Sequence, residues 1–170
     1  MRAALGVGYD ERVTAWLYRD GEQGKQLTGR ELDFADPEGR AFHQRPGSSL
    51  SHELVHVLAL KLGYAQTGAL GEGLAVWLDG NGADWHRDQA RKLLEAGDLP
   101  SAGALFEHFR DQKNGYAAAG ALCGYLIETY GMPRFVELYL STDPRALAPK
   151  LLGADFAAIE EAWHAALRAG

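Results

Sequence analysis

The sequence predicts an α+β fold, in which a small β-rich part over residues 1–47 precedes a mostly helical part over residues 48–170. Short runs of β-branched and aromatic residues, separated by turn residues, stand before Pro46. After Pro46 the apolar residues recur at helical spacing, and capping residues separate successive segments. A chain of 170 residues is long enough for one hydrophobic core, so we expect a single domain.

The β-rich part contains three candidate strands. Residues 13–18 are mostly β-branched or aromatic, and the pair Asp20-Gly21 closes this run. Residues 31–35 and 40–44 alternate in polarity on either side of residues 36–39, Asp-Pro-Glu-Gly, a sequence typical of a turn. These two runs are therefore predicted to pair as a hairpin.

The helical part is divided by its caps and glycines into eight predicted segments. Helices commonly begin after Ser, Thr, Asp or Asn and commonly end at Gly, so Gly63, Gly97 and Gly131 mark expected ends. Asp84, Ser101 and Asp155 are expected N-caps. The segments begin near Leu50, Ala69, Asp84, Ser101, Tyr116, Pro133, Pro144 and Asp155.

Composition and charge exclude several classes of protein. A hydrophobic fraction of 46% and a charged fraction of 24% are those of an ordinary globular protein. The net charge of −6, without any basic cluster, argues against binding to nucleic acid or to anionic membranes. No run reaches the ~18 apolar residues of a membrane helix. With no signal peptide evident, we expect a cytoplasmic protein, unless the chain is a fragment of an exported parent.

The single cysteine and the glycines of the later helices are predicted to serve packing in the core rather than chemistry. Cys123 alone makes neither an intramolecular disulfide nor a multi-thiolate metal site, and its apolar neighbours predict a core residue. Gly115, Gly120 and Gly124 are too far apart for a phosphate-binding loop. They are expected to allow helices to approach closely.

The segment His52-Glu53-Leu54-Val55-His56 carries the strongest chemical signal in the chain. Residues four apart project from the same face of a helix, so both imidazoles are able to reach one cation. Glu53 is turned about 100° around the axis from His52, which places it beside the metal as a general base rather than as a ligand. The alternative is that the two histidines are satisfied by hydrogen bonds within a core.

Glu72 is the candidate third ligand. It is the single acid of the apolar run 69–78, which follows a turn-rich segment around Gly63 and Gly68. A segment of that length suits two antiparallel helices that bring Glu72 opposite the histidines. Two His and one Glu, with a fourth position open to water, form an established catalytic zinc set. The alternative is an ordinary acid near a helix N-terminus, favoured by the helix dipole.

The motif and its surroundings resemble the gluzincin branch of zinc metallopeptidases, and more narrowly the peptidase-MA-like domains. The resemblance rests on His-Glu-Leu-Val-His followed by Glu72-Gly73-Leu74-Ala75, and it extends over residues 116–120, 125–131 and 159–163. It implies a zincin-like fold with one Zn²⁺ per chain, held by His52, His56 and Glu72.

The resemblance also implies hydrolysis of peptide bonds in a peptide or protein substrate. Glu53 then accepts a proton from the metal-activated water, and Tyr116 is the first choice as hydrogen-bond donor to the oxyanion. The alternative is that Tyr116 is a core residue of an amphipathic helix. His86 and His108 are weaker choices for that donor, because each is expected to be an exposed or partly buried helix residue. His43 is a candidate edge-strand residue of a substrate groove. Two alternatives stay open, a zinc hydrolase acting on another amide and a non-catalytic binding module. Substrate identity and oligomeric state are not determined by the sequence.

Overall fold

The computed structural model describes residues 5–170. Residues 1–4 lie outside that range. They belong to the N-terminal segment in which the sequence shows no evident signal peptide. The elements that lie wholly within it include nine α-helices, one short 3₁₀ helix and a three-stranded sheet. The predicted α+β class is therefore confirmed.

The chain divides into two compact units, residues 1–63, described from Leu5 onward, and residues 64–170. The sequence-based division after residue 47 separates strands from helices, whereas the compact units separate after Gly63. The helix that carries His52 and His56 therefore belongs to the first unit. That the chain is a single domain stays a prediction.

The first unit contains the sheet. Its strands are β1 (Thr14–Leu17), β2 (Phe34–Asp36) and β3 (Ala41–Gln44), and their order across the sheet is β1-β3-β2. Strands β2 and β3 pair antiparallel around a turn in which the Asp36 carboxylate accepts a hydrogen bond from the Gly39 N–H at 3.0 Å. The predicted hairpin is thus confirmed. Strand β1 pairs with β3 in parallel.

Helix α1 (Gly21–Thr28) is a correction to the sequence analysis, which placed only a turn after β1. Asp20 caps this helix by accepting a hydrogen bond from the Gln23 N–H at 2.8 Å. Two strands that pair in parallel require a crossover connection, and α1 lies within it. Gly21 and Gly24 have low helix propensity, so Asp20 was interpreted as part of a turn rather than as the cap of a helix. Gly24 is buried, and a Cβ there would already touch the Tyr18 ring at 3.4 Å.

Helix α2 (Leu50–Ala59) follows the sheet and packs against β2 and β3. Its N-cap is Ser49, and its buried face is formed by Val55, Val57, Leu58 and Ala59. The helix was predicted to continue to Gly63. The α-helix instead ends at Ala59, and tighter i→i−3 hydrogen bonds carry the chain to Gly63, whose N–H donates to the Leu60 carbonyl at 3.0 Å.

The second unit is helical throughout its described elements. Ser101 and Asp155 cap their helices as predicted, and Asp143 caps the helix that begins at Pro144; each accepts a backbone N–H. Asp84 is not a cap, because Gly82 occupies the N-cap and Asp84 lies in the first turn. The helices are α3 (Gly68–Trp77), α4 (Ala83–Ala96), α5 (Ala102–His108), α6 (Gly115–Tyr130), α7 (Met132–Tyr139), α8 (Pro144–Leu152) and α9 (Phe156–Ala169), with a 3₁₀ helix at Phe109–Asp111.

Helix α6 is the centre of the second unit, and α3 packs closely along it. A Cβ added at Gly73 would lie 2.5 Å from the Ala119 carbonyl oxygen and 2.6 Å from the Cys123 sulfur. A Cβ at Gly120 or Gly124 would likewise collide with a side chain of α3. The expectation that these two glycines allow close packing is confirmed, and so is the core position of Cys123. Burial raises the pKa of the Cys123 thiol.

The alanine variant of Gly73 tests this packing. Its new methyl group meets a backbone oxygen that no rotamer change moves, so Gly73→Ala is expected to destabilise the protein by about 1–3 kcal/mol. The matched control is Gly103→Ala in α5, where the nearest atom to a new Cβ lies at 3.8 Å. That control is expected to be neutral or stabilising by up to about 1 kcal/mol. Urea unfolding of both variants gives the comparison, and equal stabilities would contradict it.

Candidate metal centre

The two histidines of the motif lie on one face of α2. Their positions four residues apart bring the ring centroids to 5.0 Å, with the ring planes at 77°. Val55 and Leu58 on the buried side of the helix anchor it, while His52 and His56 are themselves half-buried. The predicted same-face arrangement of the two imidazoles is thus present.

Glu53 lies in the first turn of α2 and is half-buried. An acid in the first turn is stabilised by the positive end of the helix dipole, which favours the ionised carboxylate. The carboxylate form is the one that accepts a proton. Glu53 directly follows His52, so the helical period turns it off the face that His52 and His56 share. The motif predicts this position for a general base.

Helix α3 fixes the position of Glu72. Thr67 caps the helix by accepting the Leu70 N–H at 3.4 Å. Ala69, Leu70, Gly73 and Leu74 are buried against the rest of the second unit, whereas Glu72 is half-buried between them along the chain. Glu72 is therefore the charged group of an otherwise apolar helix, held in register by its buried neighbours.

Tyr139 is a neighbour of Glu72 that the sequence analysis missed. It is 4% exposed, and its carbonyl accepts the Gln66 N–H at 3.0 Å. Burial is the largest of the causes that raise the pKa of Tyr139 to about 12, and the negative charge of Glu72 adds to it. The phenol therefore stays protonated at neutral pH. No spacing rule links residues 67 positions apart on separate helices, so the sequence offered no signal for this pair.

His52, His56 and Glu72 form a possible metal-binding group. Each offers one ligand atom, and these atoms all lie within 4.8 Å of one another. Within residues 5–170, no other group of three His, Cys, Asp or Glu side chains meets this criterion. The three residues that the sequence analysis selected as ligands are therefore brought together by the structure.

Tyr116, the predicted oxyanion donor, is the second residue of α6 and is 54% exposed. Its ring contacts Phe109 edge-on, with centroids 5.0 Å apart. The predicted structural alternative for Tyr116 was a core residue, and its exposure does not support that alternative. A phenol on the surface is accessible to a substrate.

The two weaker donor candidates differ in their surroundings. His108 is exposed at the end of α5. His86 is only 1% exposed, and its Nε2 lies 3.1 Å from the Asp79 carboxylate. An exposed or partly buried residue was expected at position 86. The structure corrects this, because the rings of Trp77 and Trp85 flank the imidazole and remove it from solvent.

His43 does not lie on an edge strand, as had been expected. It lies on β3, which is the central strand of the sheet. Its ring stacks on Phe34 at 4.1 Å, and its Nδ1 forms a hydrogen bond with the Tyr18 hydroxyl. Burial lowers the pKa of His43. These contacts favour a packing role over the lining of a substrate groove.

No protein-family model, curated protein or solved structure matches this chain. The case for a function therefore rests on the chemistry of the residues at the site. Within the described part of the chain, no helix is both long enough and apolar enough to cross a membrane.

Metal content measures the ligand set directly. Purified protein is expected to bind one zinc ion per chain, and His52→Ala, His56→Ala and Glu72→Ala are each expected to lose most of it. Removal of a residue that hydrogen-bonds to a metal ligand lowers the metal affinity by roughly 10–100-fold, and removal of a ligand itself is expected to lower it further. His108→Ala, on an exposed histidine, is the control and should keep its zinc. Elemental analysis after dialysis gives the stoichiometries; full occupancy in Glu72→Ala would remove Glu72 from the ligand set.

Proposed function

We propose that this protein is a zinc-dependent peptidase with a zincin-like fold, in which His52, His56 and Glu72 hold one Zn²⁺. The observation that carries the proposal is the group of three ligand atoms lying within 4.8 Å of one another. The Glu53 carboxylate next to the first histidine, and the resemblance of the motif to gluzincins, support the same function. The substrate class is a peptide or protein.

The donor set suits zinc. Imidazole nitrogen and carboxylate oxygen are both common zinc ligands, and a set of three protein ligands leaves a fourth position for chemistry. At metal–ligand distances of about 2.0–2.2 Å, tetrahedral ligand atoms lie about 3.3–3.6 Å apart. Ligand atoms that lie within 4.8 Å of one another would have to approach by up to about 1.5 Å to reach that spacing. Hard cations such as Mg²⁺ prefer oxygen ligands, which disfavours them here.

Glu53 supplies the general base. Bound zinc contributes Lewis acidity toward water and toward a carbonyl oxygen. The Glu53 carboxylate is not one of the three proposed ligands, and in this proposal it would accept the proton that the attacking water gives up. It then returns the proton to the nitrogen of the leaving amine, which completes the cleavage of the amide bond. A merely structural site would not require this carboxylate.

Tyr116 supplies the second half of the mechanism in this proposal. The carbonyl oxygen becomes an oxyanion as the water adds, and a hydroxyl donor directed at that oxygen stabilises the transition state more than the substrate. The exposure of the Tyr116 ring on the first turn of α6 is compatible with this task. The exposed His108 is the second choice for the donor.

Glu53→Gln separates catalysis from metal binding. The amide keeps the size of the side chain but does not accept a proton, so the variant is expected to keep its zinc and to lose detectable peptide hydrolysis. The assay incubates each protein with a mixed peptide library, with and without a chelator, and detects the products by mass spectrometry. Glu95→Gln, on an exposed acid of α4, is the matched control and should cleave as the unmodified protein does.

Each outcome of that assay has a meaning. Chelator-sensitive cleavage by the unmodified protein and by Glu95→Gln, but not by Glu53→Gln, supports the proposal. Cleavage that survives in Glu53→Gln rejects Glu53 as the base. If the zinc-loaded unmodified protein cleaves no peptide, the peptidase proposal fails in favour of another amide substrate or of a binding module.

Tyr116→Phe tests the oxyanion donor. The variant loses only a hydroxyl, so it should keep its fold and its zinc while the rate of hydrolysis falls by about 10²–10³-fold. Tyr130→Phe, at the other end of the same helix, is the control and should retain full activity. The turnover numbers of the two variants on one cleaved peptide give the answer. Activity of Tyr116→Phe within a few-fold of the unmodified protein would transfer the role to another residue, with His108 tested next.

A further inference from the structure

Strand β1 is an open edge of the sheet in the first unit. The strand order β1-β3-β2 gives β1 one neighbour among the strands that the structure describes. All of its residues are exposed, and they include two large apolar side chains, Trp16 at 53% and Leu17 at 66%. An exposed edge that carries apolar side chains is a template for pairing with a further strand. The edge therefore fits a partner in extended conformation.

The backbone groups that β1 offers follow from its pairing with β3. The Thr14 and Tyr18 N–H groups each donate to a backbone carbonyl within residues 40–44 at 2.9 Å. Because successive residues of a strand direct their N–H and C=O groups to opposite edges, those of Ala15 and Leu17 point away from β3. Ala15 and Leu17 thus present their donors and acceptors to a strand that pairs at this edge.

One row of rings crosses the sheet and ends at the same edge. Phe34, His43 and Trp16 occupy matching positions on β2, β3 and β1. The His43 ring centroid lies 4.1 Å from that of Phe34 and 6.4 Å from that of Trp16, with the planes inclined by 9° and 13°. Aromatic pairs at such separations add stability beyond the area that they bury. A further ring placed against the exposed Trp16 would extend this row.

We infer that two copies of this chain pair through their β1 strands, antiparallel about a twofold axis beside Trp16, and so form one continuous sheet. In this arrangement Ala15 of each copy opposes the partner's Leu17, and each such pair exchanges both of its backbone hydrogen bonds. Trp16 opposes the partner's Trp16 in the closer, non-hydrogen-bonded kind of pair, so the row of rings continues into the second copy. A twofold dimer requires a self-complementary surface of this kind. The inference does not depend on the metal centre.

Charge and backbone bonding favour this register. The exposed Arg12 comes opposite the partner's Asp20, and the twofold axis repeats the pair. Only a shift by two residues keeps the outward backbone groups of the two strands opposite one another. In one direction that shift would oppose Asp10 to the partner's Asp20, which are like charges. In the other direction it would require the Arg19 N–H, which already donates to the Gln23 side chain at 2.7 Å.

Sedimentation velocity over a series of protein concentrations tests the dimer. One pair of short strands buries less area than a permanent interface, so the dimer is expected to dissociate on dilution. Ala15→Pro removes an outward N–H, which an edge strand tolerates, so this variant should keep its fold and dimerise at least roughly tenfold more weakly. Trp16→Lys opposes two like charges across the axis and should have the same effect. Leu32→Lys, on a leucine that is 71% exposed and precedes the other edge strand, is the control and should dimerise normally.

Disulfide cross-linking measures the register. A disulfide requires Cα atoms about 4.4–6.8 Å apart, so of the single variants Ala15→Cys, Trp16→Cys and Leu17→Cys, Trp16→Cys alone is expected to form a covalent dimer under oxidation. The native Cys123 is buried and should form none in the unmodified protein.

Three results would overturn the inference. The first is a cross-link through Ala15→Cys or Leu17→Cys in place of Trp16→Cys, or a cross-link in none of them. The second is dimerisation of Ala15→Pro and Trp16→Lys at the strength of the unmodified protein. The third is an unmodified protein that stays monomeric at every concentration, which would leave the edge to a strand of another protein.

Discussion

The close contact between α3 and α6 is the constraint on which the second unit depends. At Gly73 the two backbones approach so closely that a single methyl group would reach the Ala119 carbonyl oxygen at 2.5 Å. Gly120 and Gly124 permit the same approach from the side of α6. Helices that pack at this distance are fixed in both rotation and translation, since a small slide would bring the next side chain against a backbone.

That constraint bears directly on the proposed metal centre. Glu72 precedes Gly73, so the residue offered to a metal is adjacent to the residue that locks the helix. The buried Tyr139 adds a rigid, uncharged neighbour to the carboxylate, because its raised pKa keeps the phenol protonated. On α2 the buried Val55 and Leu58 orient the two histidines in the same manner. Functional groups held by rigid, packed elements are positioned more precisely than groups on loops.

Much of the fold followed from local rules. Ser101, Asp143 and Asp155 cap their helices because a short polar side chain satisfies the free N–H groups of a first turn wherever it occurs. The hairpin followed from its turn residues in the same way. Helix α1 did not follow from these rules. It contains two glycines and few apolar residues, and it lies in the crossover that parallel pairing of β1 with β3 requires.

The sequence by itself determined the chemistry of the candidate site. Helical periodicity places His52 and His56 on one face and Glu53 beside them, and these relations hold within a single turn. Tertiary structure alone decided the long-range features: the grouping of Glu72 with the histidines and the place of the buried Tyr139 near Glu72. These features arise from packing between segments far apart along the chain, which periodicity and capping signals do not specify. Local rules reach about one helical turn, whereas a site is assembled from several elements.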